Sequence, residues 1–234
     1  MREGNFVQRR VSAVIPALNE AESIGTVVRG VLAASDSIQE CIVVDNGSSD
    51  ATADVARAAG AHVVNSPRGY GAACAAGAKA ATTSSDVLVF LDGDASDDTS
   101  AMKRMVGPIL RDEADFVIGS RMRGRAEPGS LLASQVFAAK LIGVLVKVIY
   151  GFRYTDMGPF RAIRRDALDR MQMSELTYGW NLEMQIKAVK MRLRIREIPV
   201  DYRCRIGGES KVSGNAWASL KAGARILGVL VRAR

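Results

Sequence analysis

Short runs of β-branched residues alternate with alanine-rich stretches of helical length through the first half of this chain, and that order leaves few folds open. Strands are expected at about 11–16, 40–45, 61–65, 86–91 and 115–119, and helices at about 20–34, 50–59, 70–82 and 98–111. Alternation of the two implies an α/β fold with a mainly parallel sheet flanked by helices, since parallel neighbours need a crossover that a helix supplies. Ligands of such sheets sit at the carboxyl ends of the strands. Three of those ends are chemically distinctive: Pro16-Ala17-Leu18-Asn19-Glu20 after the first strand, Asp45-Asn46-Gly47-Ser48 after the second, Asp92-Gly93-Asp94 after the fourth.

Two carboxylates spaced i, i+2 point the same way in extended chain, so Asp92 and Asp94 can share a divalent cation. Hard oxygen ligands suit Mg²⁺ or Mn²⁺, whose shells are completed by substrate phosphates. Asp97 follows closely and reads either as a further ligand or as the cap of the next helix. Arg68-Gly69-Tyr70-Gly71 opens an Ala/Gly-rich helix, where small residues either admit a phosphate to backbone N–H groups or allow close packing. His62 is the only histidine and begins a strand, which favours a structural role.

At 234 residues the chain is one large or two intimate domains, and 48% hydrophobic with 24% charged residues is a globular composition. The net charge of +7 conceals an asymmetry: residues 1–117 carry 10 basic and 16 acidic side chains, residues 118–234 carry 22 and 9. An acidic half able to hold a metal is joined to a basic half able to hold anions. No paired Cys/His spacing, RNP-type motif or basic zipper is present, so no nucleic-acid partner is expected. Cys41, Cys74 and Cys204 lie far apart, which favours a reducing, cytoplasmic compartment. Met1 to Arg10 contains no apolar h-region, so no secretory signal is expected.

The second half opens with a loop at 122–130, then a long helix at about 131–150. Lys140 and Lys147 interrupt that helix, which argues against a membrane span. A strand or turn through 156–164, a helix at 180–191, a strand near 194–200 and an Arg/Gly-rich loop at 203–214 follow. A closing helix at about 216–232 places Trp217, Leu220, Ala224, Leu227 and Val231 on one side and Lys221, Arg225 and Arg232 on the other. It either packs on its own core or lies at a membrane surface.

VSAVIPALNE at 11–20, VVDNGSSDAT at 43–52 and LDGD at 91–94 together resemble the nucleotide-sugar domain of family 2 glycosyltransferases with the GT-A fold. TDMGPFRAIRR at 155–165, Glu183 within YGWNLEMQ and RIGGESKVSG at 205–214 resemble the branch of dolichol-phosphate mannose synthases and polyprenyl-phosphate glycosyltransferases. The resemblance covers about residues 10–215. It implies a donor-binding part at 1–120, an acceptor-binding part at 121–215 and the closing helix at 216–234.

By that resemblance Pro16, Leu18, Glu20 and Asp45 line the nucleobase and ribose pocket, and Asp92 and Asp94 hold Mg²⁺ or Mn²⁺. Arg121, Arg161, Arg203, Arg205 and Lys211 cluster in or near these motifs and suit phosphate oxygens. Arg68 joins the donor-binding set at the glycine-rich turn, and Gly207-Gly208 would let the loop carrying Lys211 fold over substrate. Glu183 stands on the acceptor side as base or orienting group, with Asp156 and Arg161 beside it. The implied activity is inverting transfer of a hexose from a UDP- or GDP-sugar to a polyprenyl phosphate, peripherally at the cytoplasmic face of a membrane. A soluble or hydroxyl acceptor is the alternative in the same class. A sugar-phosphate nucleotidyltransferase is a rival, but it needs a Gly-rich basic loop after the first strand, where this chain has Pro16-Ala17-Leu18-Asn19-Glu20. A non-catalytic nucleotide- or lipid-binding module is a third reading.

Overall fold

A computed structural model describes residues 9–207. Seven strands run β1 (Val11–Ala17), β2 (Ile38–Asp45), β3 (His62–Asn65), β4 (Val87–Phe90), β5 (Phe116–Ser120), β6 (Arg161–Arg164) and β7 (Ile195–Pro199). Seven α-helices accompany them: α1 (Ile24–Ala34), α2 (Thr52–Ala58), α3 (Tyr70–Ala80), α4 (Met102–Leu110), α5 (Ala133–Tyr150), α6 (Arg165–Met171) and α7 (Trp180–Lys190). All seven strands form one sheet in the order β3-β2-β1-β4-β6-β5-β7.

The alternation expected from the sequence is realised from β1 to β5, with β1 parallel to both β2 and β4. Strand period puts Val11, Ala13, Ile15 and Ala17 into the core beneath α1 and α4, and turns Val14 into the core beneath α3. The small residues of α3 serve contact with the sheet. A Cβ on Gly77 would lie 2.3 Å from Val14 Cγ1 and 2.9 Å from Val44 Cγ2, so any larger residue would hold the helix off the strands.

The structure departs from the expected elements in four places. β6 runs antiparallel between β4 and β5, pairing Phe90 with Arg161 and Arg161 with Ile118. This reversal brings residues 155–161 to the carboxyl ends of β4 and β5. α6 was not foreseen; it begins directly after β6 and buries Ala167, Leu168 and Met171. α1 begins at Ile24, because residues 20–23 form a turn in which the Ser23 and Ile24 amides donate to Glu20 O. Finally, β4 ends at Phe90, so Asp92-Gly93-Asp94 lies in a turn rather than in extended chain. Ala95 takes φ 63° to close that turn.

α5 is long and apolar enough to cross a membrane by length and composition, contrary to the expectation drawn from its two lysines. It nonetheless packs one side on the domain, burying Ala139, Ile142, Gly143 and Val146. The closing helix expected at 216–232 and Lys211 lie outside the described residues.

Candidate active site

The loops after β1 and β2 are bonded into one rim. The Asn46 amide donates to Ala17 O at 2.9 Å, the Asn19 amide to Ser48 Oγ at 3.0 Å, and the Ser49 amide to Asn19 Oδ1 at 2.8 Å. Asp45 Oδ1 accepts the Ser48 amide at 3.0 Å, which closes the turn at the end of β2. The Glu20 amide donates to Thr52 Oγ1 at 2.8 Å. Leu18 is half-buried on this rim, while Pro16 is buried within β1 opposite Val44. Arg68 reaches across from the next loop, donating to Gly47 O at 3.2 Å.

Asn46 is a residue the motif reading passed over. Its amide nitrogen donates to Ser66 Oγ and Pro67 O, both at 2.7 Å, and its Oδ1 accepts the Gly69 amide. It thereby fixes the entry to α3 against the end of β2. The only signal for it was its place between Asp45 and Gly47.

The glycine-rich entry to α3 is held from its other side by residues 174–177. A Cβ on Gly69 would lie 2.4 Å from Leu176 O, one on Gly71 2.3 Å from Glu175 O, and the Ala72 amide donates to Leu176 O at 2.9 Å. Close packing, one of the two readings of these glycines, is seen in these contacts. Two N–H groups of this helix start, those of Gly69 and Ala72, are already bonded within the protein.

The acidic turn is crowded. Asp94 is buried, and its Oδ1 accepts both the amide and the hydroxyl of Ser96, at 3.0 and 2.5 Å. Its Oδ2 accepts Arg205 Nη2 at 2.7 Å. Asp97 is buried, accepting the Asp92 amide at 3.2 Å, and its Oδ1 has no partner among the described residues. It caps nothing; the cap expected of it comes from Asp98, whose side chain accepts the Ser100 amide. Burial raises the Asp92 carboxyl well above its usual range, with Asp94 and Asp97 adding repulsion. Burial likewise pushes Asp97 up to about 7. Clustered carboxylates that resist ionisation are short of positive charge, and an orphaned buried oxygen marks the same deficit.

These residues fit a hard divalent cation. Among the described residues no group of three or more His, Cys, Asp or Glu side chains could hold a metal ion. Asp92 and Asp94 would therefore supply one or two carboxylate oxygens, leaving the rest of the shell to phosphate and water, as Mg²⁺-type sites do.

The residues expected to act on an acceptor are committed to protein partners. Asp156 is buried and holds Arg121 in a two-pronged pair, with Nε to Oδ2 and Nη2 to Oδ1 both at 2.8 Å. Its Oδ1 also takes the Met157 amide. Arg121, its pKa raised against burial by the bonds from Asp156, lies 5.0 Å from the ring centre of Tyr202. Arg161 is fully buried. Its guanidinium donates to Asn181 O at 3.0 Å, to Met157 O at 3.4 Å and to Gly158 O, so it clamps two backbone segments instead of facing substrate.

Glu183 accepts the Ser174 amide on both oxygens at 3.1 Å, the Ser174 hydroxyl at 2.7 Å and the Glu175 amide at 2.8 Å. Lys187 Nζ completes the set at 2.8 Å. Burial alone would raise this carboxyl, but those donors hold it below the ordinary glutamate range. A carboxylate so satisfied is a poor proton acceptor. Its work is to fix the 174–177 segment that grips Gly69 and Gly71.

Arg203 lies 3.5 Å from Asp98, on the strap at 202–207 that runs along the acidic turn. Tyr202, which sequence did not single out, pairs with Asp97 across a short antiparallel bridge.

The model of the glycosyl transferase family 2 matches residues 12–172, which holds the rim, the acidic turn and Asp156. The chain belongs to glycosyltransferase family 2. An uncharacterized glycosyltransferase of Mycobacterium tuberculosis is 35% identical over 91% of this chain and 94% of its own length. An undecaprenyl-phosphate mannosyltransferase of Micrococcus luteus is 31% identical over 88% of each chain. Among solved structures, the glucosyl-3-phosphoglycerate synthase of Mycobacterium tuberculosis, in complex with Mn²⁺, UDP-glucose and phosphoglyceric acid, superposes with a TM-score of 0.75. At 22% identity, over 96% of this chain and 79% of that one, it shows the shared GT-A fold. The chain is thus a glycosyltransferase.

Proposed function

We propose that this glycosyltransferase moves a hexose from a UDP- or GDP-sugar to a polyprenyl phosphate, with inversion, at the cytoplasmic face of a membrane. The rim of Leu18, Glu20, Asp45 and Arg68 would take the nucleoside, and Asp92 and Asp94 would hold Mg²⁺ or Mn²⁺ against the diphosphate. When bound, the ion supplies charge that offsets the negative charge growing on the departing diphosphate. An acceptor oxygen attacks the anomeric carbon from the face opposite the leaving oxygen as the bond to the diphosphate breaks.

The state of the two carboxylates expected to act on an acceptor supports a phosphate acceptor. A hydroxyl acceptor needs a base as it attacks. Asp156 and Glu183 are both saturated by donors and are unsuited to that task. A phosphate monoester is already an anionic nucleophile near neutral pH. Arg121, held by Asp156, and Arg203 of the 202–207 strap would bind one.

The observation that carries the lipid part is α5. Phe137, Leu141, Val144 and Val148 fall four, three and four residues apart on one face, and they are 68%, 48%, 48% and 78% exposed. A helix of this length is about 27 Å long, and its outward stripe suits the acyl boundary of a bilayer while its other side stays on the domain. The 31% identity to an undecaprenyl-phosphate mannosyltransferase supports the same reading. The glucosyl-3-phosphoglycerate synthase bears the same fold in complex with a soluble phosphorylated compound, so fold alone does not choose. Nucleoside diphosphate release from UDP- and GDP-hexoses with Mn²⁺ tests the proposal. Release that rises with a short polyprenyl phosphate, and not with phosphoglycerate or a free sugar, is expected; the reverse order contradicts it.

A further inference from the structure

The acidic turn already holds a cation of the protein's own. Arg205 Nη2 lies 2.7 Å from Asp94 Oδ2, and Ser96 takes the other oxygen. Asp94 is therefore fully engaged before any metal arrives. The guanidinium reaches it because the 202–207 strap is laid along the turn, with the Arg203 amide donating to Ser96 O at 2.9 Å and the Ile206 amide to Asp94 O at 3.2 Å. Just beyond, Gly207 takes φ +138° against Glu22, where a Cβ would meet Glu22 Oε2 at 2.0 Å.

Arg205 is itself only half served. Its Nη1 is buried and has no hydrogen-bond partner among the described residues. A guanidinium carries five donors in a fixed fork that matches phosphate oxygens as well as carboxylate. A buried donor left empty costs free energy, which a second acceptor at that position would recover.

We propose that Arg205 is an exchangeable cation of the metal turn. It holds Asp94 while the site lacks a divalent ion, and it yields that carboxylate when ion and donor enter together, turning its fork onto a diphosphate oxygen. The inference rests on the reading of Asp94 as a metal ligand. Two consequences follow. Arg205 competes with the ion in the nucleotide-free protein, which depresses metal affinity. Nucleotide gives Arg205 a new partner, so it raises metal affinity, and by linkage metal raises nucleotide affinity by the same factor. The ion pair would thus favour joint entry of metal and donor over binding of metal alone.

The test is Mn²⁺ binding without turnover, followed by the electron paramagnetic resonance signal of free Mn²⁺, with and without UDP or GDP. The full-length wild type is compared with Arg205→Gln, Arg205→Lys and Asp94→Asn. Ion pairs open to solvent on one side correspond to about twofold to fivefold in an equilibrium constant. Arg205→Gln should therefore bind Mn²⁺ alone about twofold to fivefold more tightly than wild type, with the enhancement by nucleotide reduced. Arg205→Lys keeps a competing cation and should behave like wild type. Asp94→Asn should lose binding under both conditions. If Arg205→Gln binds Mn²⁺ alone as wild type does, or more weakly, while Asp94→Asn abolishes binding, the exchange is refuted and the metal site stands. If Asp94→Asn leaves Mn²⁺ binding intact, the metal assignment fails with it. Matching melting curves for the variants establish that each is folded.

Discussion

At the scale of single residues, the carboxylates divide into those short of positive charge and those saturated with it. Asp97, pushed up to about 7 by burial, stays protonated in the fold at pH values where the unfolded chain has released its proton. The native state then binds more protons than the unfolded state between the ordinary aspartate range and about pH 7, so stability falls as pH rises through that window. The metal-free protein should lose on the order of 2 kcal/mol between pH 5 and pH 7, read as a falling melting temperature. Glu183 has the opposite sign. Its donors depress its pKa, so its contribution is present above the ordinary glutamate range and is lost as pH drops below it.

Glu183→Gln should cost about 1–3 kcal/mol in urea unfolding, because a neutral amide cannot satisfy Ser174, Glu175 and Lys187 together. The pH profile of kcat should keep its shape; loss of its acidic limb would restore Glu183 as a base. The sequence carried the identity of this residue but not its role. A base and a loop anchor look alike in YGWNLEMQ, and the difference lies with Ser174, nine residues earlier and adjacent only in the folded chain.

At the scale of elements, runs of apolar residues bounded by polar turns made β1, β2 and β4 legible, since a strand covered on both faces can be read from composition. β6 was legible only as a strand or turn somewhere in 156–164, because Arg161-Ala-Ile-Arg164 is four residues long with a charge at each end. Its burial depends on carbonyls from 157, 158 and 181 that receive the Arg161 guanidinium. α6 escaped for a similar reason: two turns begin directly after a strand with no capping side chain.

Gly77 offers the sharpest test of an element's packing. Glycine to alanine within a helix ordinarily gains about 1 kcal/mol, whereas forcing atoms into a filled core costs about 1–3 kcal/mol. With contacts of 2.3 and 2.9 Å waiting for the new methyl group, the second effect should win. Gly77→Ala is expected to lower the melting temperature by a few degrees. An increase would mean that α3 does not bear on β1 and β2 as closely as described.

At the scale of the whole molecule, one sheet joins an acidic rim to a basic strap, and α5 turns an apolar face outward. Charge on that face should separate docking from chemistry. Phe137→Asp with Val148→Asp is expected to cut binding to vesicles containing anionic lipid by tenfold or more, since placing a charge in the acyl region costs about 2 kcal/mol or more. Mn²⁺-dependent release of nucleoside diphosphate with a water-soluble short-chain acceptor should be unchanged. Equal vesicle binding by the double variant and wild type would move the acceptor to solution.

The central claim is that Asp92 and Asp94 form the cation–diphosphate seat of this glycosyltransferase. The most direct test is a manganese anomalous difference map from crystals grown with Mn²⁺ and UDP- or GDP-hexose. The account predicts one strong peak within coordination distance of Asp94, bridged to the diphosphate, with the Arg205 guanidinium moved off that carboxylate. A nucleotide bound elsewhere, or a rim with no peak and Arg205 still on Asp94, would contradict it.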